Sequence, residues 1–267
     1  MSAPRISLIT VCYNAESSIA GTLQSAREQT YRNFELLIVD GASKDNTLKV
    51  VQQFSDLPLV IHSEPDKGIY DAMNKAVALA KGDILFFLNA DDALLDGQVL
   101  ARVAEAFDAD PALEFLWGDV VNAFQDGQNL TLSYAYINPD TLIYGSLCHQ
   151  GVFAHKRLFE RFGSFDLKYR LCADFDWFLR VLRGGARYRY LDLDVSIFTR
   201  GGAHEKSLAR MYREKALIRR KYVSLVPWVG NEIYQYLRRR RYDITGWIRR
   251  TWPNLLPTPS RRRDLKY

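Results

Sequence analysis

Four short aliphatic runs, separated by stretches of helical periodicity, constrain what this chain can fold into more than any other feature. RISLITVCY (5–13), FELLIV (34–39), a shorter run near 59–62 and ILFFL (84–88) read as strands. Between them Ile19, Leu23 and Ala26 recur at helical spacing, and a second helix is expected from about 46 to 54. Ile69, Met73, Ala76, Val77 and Ala80 mark one face of a third, from about 68 to 80. Strands linked through helices pair in parallel and bury both faces, so a Rossmann-like, mostly parallel sheet flanked by helices is expected: an α/β fold.

Beyond residue 92 the pattern loosens. A helix is expected at 97–107 and a strand at 113–117, then an irregular aromatic region to about 145. A strand at 151–155, a short helix at 156–162, a helix at 174–183, strands near 187–191 and 194–198, and a helix from 205 to about 222 complete the reading. Pro227, Pro253, Pro257 and Pro259 break the remainder of the chain. Neither an internal repeat nor a low-complexity linker occurs.

Polar residues come after each of the four early strands: Tyr13 and Asn14, then Asp40, then Asp66, then Asp91 and Asp92. In a parallel sheet these ends lie on one side, where open α/β sheets bind ligands. Two adjacent carboxylates repel each other, and a divalent cation on a phosphate would resolve that repulsion. A nucleotide with its metal therefore suits the set. Tyr13 could stack on a base, Asp40 could accept from a base or ribose, and Asp91 with Asp92 could hold Mg²⁺ or Mn²⁺ through hard oxygens. Local readings stand beside these. Asp91 and Asp92 could cap the helix beginning near Asp96, Tyr13 could pack on a neighbouring helix, and Asp40-Gly41 could be only a turn.

VCYN, VDGASKDNT, DKGIYDAMNKAVALAKGD and LFFLNADDA, in this order, resemble family 2 glycosyltransferases of the GT-A fold. The likeness is strong over 5–95 and weaker to about 200. It implies a nucleotide-diphosphate sugar donor, a divalent metal, inversion at the anomeric carbon and an aspartate base in the second half. Tyr13 and Asp40 match its base-contacting positions, and Asp66 matches the acid before the glycine of its second donor motif. Asp91 and Asp92 match its metal-and-phosphate acids. Two departures stand out: Asn89 occupies a position where the family often has Asp, and Ala173 precedes Asp174 where the family has Glu-Asp.

Asp174 matches the family's base, and inversion by direct displacement needs a carboxylate near the acceptor hydroxyl. Asp176 is read as a first-turn acid on the helix dipole, and Asp174 could itself be only an N-cap. His149 and Gln150, just before a strand, could line the acceptor site; a core or turn histidine is the alternative. His204, on a glycine-flanked loop, is a metal or phosphate contact by resemblance, or an exposed loop histidine.

Charge divides the chain. Residues 1–204 carry 19 Lys+Arg against 26 Asp+Glu, and residues 205–267 carry 17 against 5. Arg238–Arg241, Arg249-Arg250 and Arg261–Arg263 alternate with Trp228, Tyr234, Tyr236, Trp247 and Trp252. Such a tail suits an anionic membrane face, which suggests a cytoplasmic enzyme peripherally bound there and acting on a glycan or lipid-linked acceptor. A solvated tail is the plainer reading, and nucleic acid is disfavoured because no recognised binding motif accompanies the charge. The division expected is a catalytic unit over 1–204, with a donor half to 95 and an acceptor half beyond, and a basic helical extension over 205–267.

No signal peptide or membrane-spanning run is seen, and Cys12, Cys148 and Cys172 are too scattered for a disulfide framework or zinc cluster. Rival functions are a nucleotidyltransferase, which is expected to need a basic Gly-rich loop that is absent, and an inactive membrane-associated nucleotide-sugar binder. Neither G-x-G-x-x-G nor a P-loop occurs.

Overall fold

The computed structural model describes residues 4–123, 129–199 and 207–223. Its first half alternates as expected: β1 (Ile6–Cys12), α1 (Ile19–Arg27), β2 (Phe34–Asp40), α2 (Thr47–Gln52), β3 (Leu59–Ser63), α3 (Ile69–Leu79) and β4 (Ile84–Phe87). A two-residue strand, β5 (Ala93–Leu94), and α4 (Val99–Ala109) come next. Then come β6 (Phe115–Ala123), β7 (Asn129–Leu132), β8 (Val152–His155), α5 (Arg157–Phe162), α6 (Ala173–Arg183), β9 (Tyr188–Thr199) and α7 (Leu208–Arg220).

One sheet runs in the order β3-β2-β1-β4-β8-β6-β9-β5, with β7 paired to β6. The chain lays β2 and β3 to one side of β1, then crosses back so that β4 pairs with β1 on the other side, all in parallel. That reversal creates a crevice beyond the ends of β1 and β4, the place where open α/β sheets bind ligands. β8 joins antiparallel to β4 and β6, so the second half extends the first sheet. Side chains alternate in period two. Ile9, Val11, Leu37, Val39, Leu85 and Phe87 face a core shared with α3, α5 and α6, while Ile6, Leu8, Leu36, Ile38, Ile84 and Phe86 face one shared with α1, α2 and α4.

The second half departs from expectation. β6 continues six residues past Trp117, the irregular region contains β7, and the two strands expected near 187–191 and 194–198 are one, β9. Asp119, Asp192 and Asp194 interrupt the apolar runs, and the register of β6 on β9 shifts on either side of Asp119. A bulge keeps a strand continuous where its hydrophobic pattern breaks. α7 also belongs to the core: Ile218 is fully buried, and Glu214 and Arg219 are nearly so. The unit that carries the crevice thus runs past residue 204, where the basic extension was expected to begin.

Candidate active site

One side of the crevice is built from turns after β1 and β2. Asn14 sits at φ +50°, its amide donating to Ser43 Oγ at 2.8 Å and its Oδ1 accepting from the Lys44 amide at 2.9 Å. This stitches the two turns together and leaves the Tyr13 ring 58% exposed over the crevice. A Cβ on Gly41 would lie 2.5 Å from Oδ2 of Asp66 and 3.4 Å from Cδ2 of Tyr13, so the glycine lets that acid and that ring approach. Asp66 Oδ1 in turn accepts from the Gly68 amide at 2.7 Å.

Asp40 does not open onto this surface. It is fully buried, with Oδ2 accepting from the Ser43 amide at 3.0 Å and from Ser63 Oγ at 2.6 Å, while Oδ1 takes the Ser43 hydroxyl. It organises the turn that presents Tyr13.

The two acids after β4 have opposite environments. Asp91 is exposed, and partial desolvation in the crevice raises its carboxyl. Asp92 is 2% exposed, with Oδ2 accepting from Gln150 Nε2 at 2.8 Å and Oδ1 from the Thr199 amide at 3.2 Å. Burial pushes it up to about 7, the charge on Asp91 adding to the effect. Neither caps the next helix, since Asp96 Oδ1 accepts the Gln98 amide at 2.7 Å there. Of the two acids expected at the metal, Asp91 is exposed, and Asp92 ties β4 to Gln150 and β9.

Gln150, expected to line the acceptor site, is 2% exposed, with its Nε2 donating to Asp92 Oδ2 at 2.8 Å and its Oε1 accepting from Cys148 Sγ at 2.7 Å. His149 shares the same 3-10 turn, His149–Gly151, and turns the other way. Its Nδ1 lies 3.2 Å from Asp174 Oδ2, and its Nε2 is buried without a partner. Consecutive residues thus hold the two acid sites in one frame.

Asp174 lies inside the first turn of α6, whose N-cap is Cys172, so it is not the cap. Its Oδ1 accepts from Tyr70 OH of α3 at 2.9 Å and from the Phe175 amide at 2.8 Å. Burial pushes the carboxyl up, but the bonds from His149, Tyr70 and Phe175 outweigh it and hold Asp174 below the usual carboxylate range. Asp176 is 1% exposed and paired with Arg180 Nε at 3.0 Å and Lys221 Nζ at 2.6 Å, a structural role more specific than dipole compensation.

Three contributors escaped the sequence reading. Tyr70 sits within a quoted motif, but nothing local marks it as a partner of Asp174. Glu214 of α7 anchors the segment leading into α6, accepting from the amides of Arg170, Leu171 and Cys172 at 3.1, 2.9 and 3.2 Å. Lys215 reaches Ser146 Oγ at 3.1 Å beneath the crevice, where burial lowers its ammonium. His204 lies outside the described residues.

Among the described residues no three His, Cys, Asp or Glu side chains form a metal cluster. The donor set still suits a hard cation held mainly by substrate. Asp91 offers an exposed carboxylate, and Asn89 Oδ1 is a buried oxygen with no hydrogen-bond partner. Mg²⁺ and Mn²⁺ commonly use one or two such protein oxygens with phosphates and water completing the shell.

A mostly parallel sheet with polar residues gathered at its switch point is an α/β architecture of the kind that binds ligands there. The sequence model of glycosyl transferase family 2 matches residues 7–167, and the chain belongs to this family, as a glycosyltransferase. A PGL/p-HBAD biosynthesis glycosyltransferase of Mycobacterium bovis is 35% identical over 206 residues, 76% of this chain and 79% of that one. An Escherichia coli UDP-Glc:alpha-D-GlcNAc-diphosphoundecaprenol beta-1,3-glucosyltransferase is 30% identical over 145 residues, 53% of this chain and 54% of that one. The fold is GT-A: a mannosyltransferase of Pyrobaculum calidifontis, solved with GDP-Man and Mn²⁺, superposes with a TM-score of 0.66 at 21% identity, covering 88% of this chain and 70% of that one.

Proposed function

We infer that this glycosyltransferase moves a sugar, with inversion, from a nucleotide-diphosphate donor to a hydroxyl of a lipid-linked glycan in cell-surface polysaccharide synthesis. One observation carries the reading: the consecutive residues His149 and Gln150 tie Asp174, at the start of α6, and Asp92, after β4, to one turn, with the exposed Asp91 beside Asp92. Transfer by direct displacement needs negative charge handled on one side of the anomeric carbon and a proton removed on the other. Tyr13 stacks on the base, Asn14 and Asp66 border the ribose, and Asp91 meets the diphosphate. His149 is the side chain nearest the acceptor. Asp174 supplies the basic centre, directly or through a group it holds.

Divalent-metal dependence is part of this proposal, with Asp91 and Asn89 as protein ligands. When bound, the metal supplies Lewis-acid stabilisation of the departing diphosphate. The mannosyltransferase solved with Mn²⁺ supports the choice of ion. The acceptor class is supported by the Escherichia coli relative, whose name specifies a diphosphoundecaprenol-linked sugar. No helix among the described residues is long and apolar enough to cross a membrane. Attachment to the inner membrane face is assigned to the tail beyond residue 223, which lies outside the described residues and carries ten Lys+Arg against three Asp+Glu.

Calorimetry with a panel of nucleotide sugars, with and without Mn²⁺, tests the donor side; NMR of the product's anomeric configuration tests inversion. Binding without hydrolysis or transfer to any lipid-linked acceptor would return the inactive-binder reading.

A further inference from the structure

α3 joins the donor side of the crevice to Asp174. It begins at Gly68, whose amide donates to Asp66 Oδ1 at 2.7 Å, and its second residue is Tyr70. One turn further on, Asn74 is bonded in both directions to Phe165, in the segment before α6. Its Nδ2 donates to the Phe165 carbonyl at 2.9 Å, and its Oδ1 accepts from the Phe165 amide at 2.9 Å. The Tyr70 ring packs on the Phe165 ring, with centroids 5.5 Å apart. The start of α3 is thereby fixed against the second half of the chain, and the Tyr70 hydroxyl donates to Asp174 Oδ1 at 2.9 Å, across 104 residues of sequence.

That hydroxyl is not needed for packing. Tyr70 is 4% exposed, and phenylalanine would fill the same space without burying a group that must find a partner. Burial, and then the charge on Asp174, push the phenol well above its ordinary value, so it remains the donor of the pair. An ionised carboxylate has about four acceptor positions. Tyr70 and the Phe175 amide occupy the two on Oδ1, and His149 Nδ1, 3.2 Å away, takes one on Oδ2. One position on Oδ2 remains, in a side chain that keeps 14% of its surface open. Among the described residues, the other titratable groups facing Asp174 are Lys215, whose ammonium lies within its electrostatic reach, and the thiols of Cys148 and Cys172, which burial pushes up to about 12 and keeps uncharged.

We propose that Tyr70 is a positioning residue for sugar transfer, its hydroxyl holding Oδ1 of Asp174 so that the open position on Oδ2 meets the acceptor hydroxyl. This rests on the transfer reaction inferred above and adds a link between its two substrates, because the helix that carries Tyr70 starts beside Asp66 on the donor side. The acceptor oxygen forms its bond to the anomeric carbon while the bond from that carbon to the diphosphate breaks, its electron pair leaving on the phosphate oxygen. The hydroxyl proton passes to Oδ2 and from there to solvent. Tyr70 gives up no proton at any step; it fixes the direction from which Asp174 works, and orientation of this kind is worth rate because the reacting groups need not search for it.

The test is Tyr70→Phe in the full chain, with folding checked by thermal unfolding and donor affinity by calorimetry. Single-turnover transfer at saturating donor and acceptor should slow about 10–100-fold, the range expected for losing a hydrogen bond to a charged group, while donor affinity changes by less than about twofold. Because the hydroxyl acts through Asp174, the same change made in an Asp174→Asn protein should alter the residual rate by less than about twofold. Carbon-13 NMR adds a readout that packing alone does not move. The Asp174 carboxyl resonance, identified by its loss in Asp174→Asn, should titrate at higher pH in Tyr70→Phe, since the lost bond is one of those that hold it down against burial. Equal fractional losses in the two backgrounds, an unmoved titration, or a single-variant rate within about threefold of wild type overturns the proposal. If Tyr70→Phe fails to fold, Asn74→Ala loosens α3 from Phe165 one turn away, and its loss of rate must likewise vanish in the Asp174→Asn background. A wild-type protein that transfers no sugar would bring down the underlying reaction and this role with it; a transferring wild type with equal losses in both backgrounds brings down only the role of Tyr70.

Discussion

Replacing Asp92 by asparagine separates the roles of two acids that are adjacent in the chain. Burial, reinforced by Asp91, raises the Asp92 carboxyl from 3.8 to about 7. Between those values the folded protein holds a proton that the unfolded chain has released, so stability falls as pH rises. The contribution is fully present below ~4 and is lost as pH passes through about 7. Some three pKa units at about 1.4 kcal/mol each span about 4 kcal/mol. Asp92→Asn keeps the shape, still accepts from one of Gln150 and Thr199, and cannot ionise. Urea unfolding with a chelator present should show the variant gaining about 3 kcal/mol on wild type between pH 5 and pH 8. Asp91→Asn, at an exposed carboxyl, should gain less over the same interval. Stability curves of wild type and Asp92→Asn that run parallel across this range would refute the buried-acid assignment and restore Asp92 as a solvent-facing ligand.

Asp174→Asn should lower kcat about 10²–10⁴-fold with donor affinity preserved, because the amide keeps the packing but loses the charge facing His149; loss of donor binding by calorimetry would contradict this. Glu214→Gln places an NH₂ against amides that now donate to a carboxylate, so about 2–4 kcal/mol of stability should be lost in urea unfolding, with slower transfer as α6 loosens. An unchanged unfolding midpoint would dismiss this anchor. Deleting residues 224–267 should abolish flotation with anionic liposomes at low salt and leave donor binding intact; flotation equal to the full chain would locate the anchor elsewhere.

Local pattern made the first half legible. Apolar runs and helical spacing within β1 to β4 are set by neighbouring residues, and Tyr13, Asp66 and the two acids can be placed at strand ends from periodicity alone. The same method fails on β6, β7 and β9. There aspartates interrupt the hydrophobic alternation, and continuity is supplied by pairing between strands distant in sequence.

The sequence by itself determined that a sheet edge would gather these polar residues, and that Asp174 would stand at the start of a helix. Tertiary structure alone decided what each of them does. Asp92 is buried because Gln150, 58 residues away, and Thr199, 107 away, close over it, while Asp91 beside it stays open. Asp174 is held below the usual carboxylate range by His149, 25 residues upstream, and Tyr70, 104 upstream. Hydrogen bonding and desolvation act through space over a few ångströms, and a chain does not record in its local pattern which distant residues will come that close.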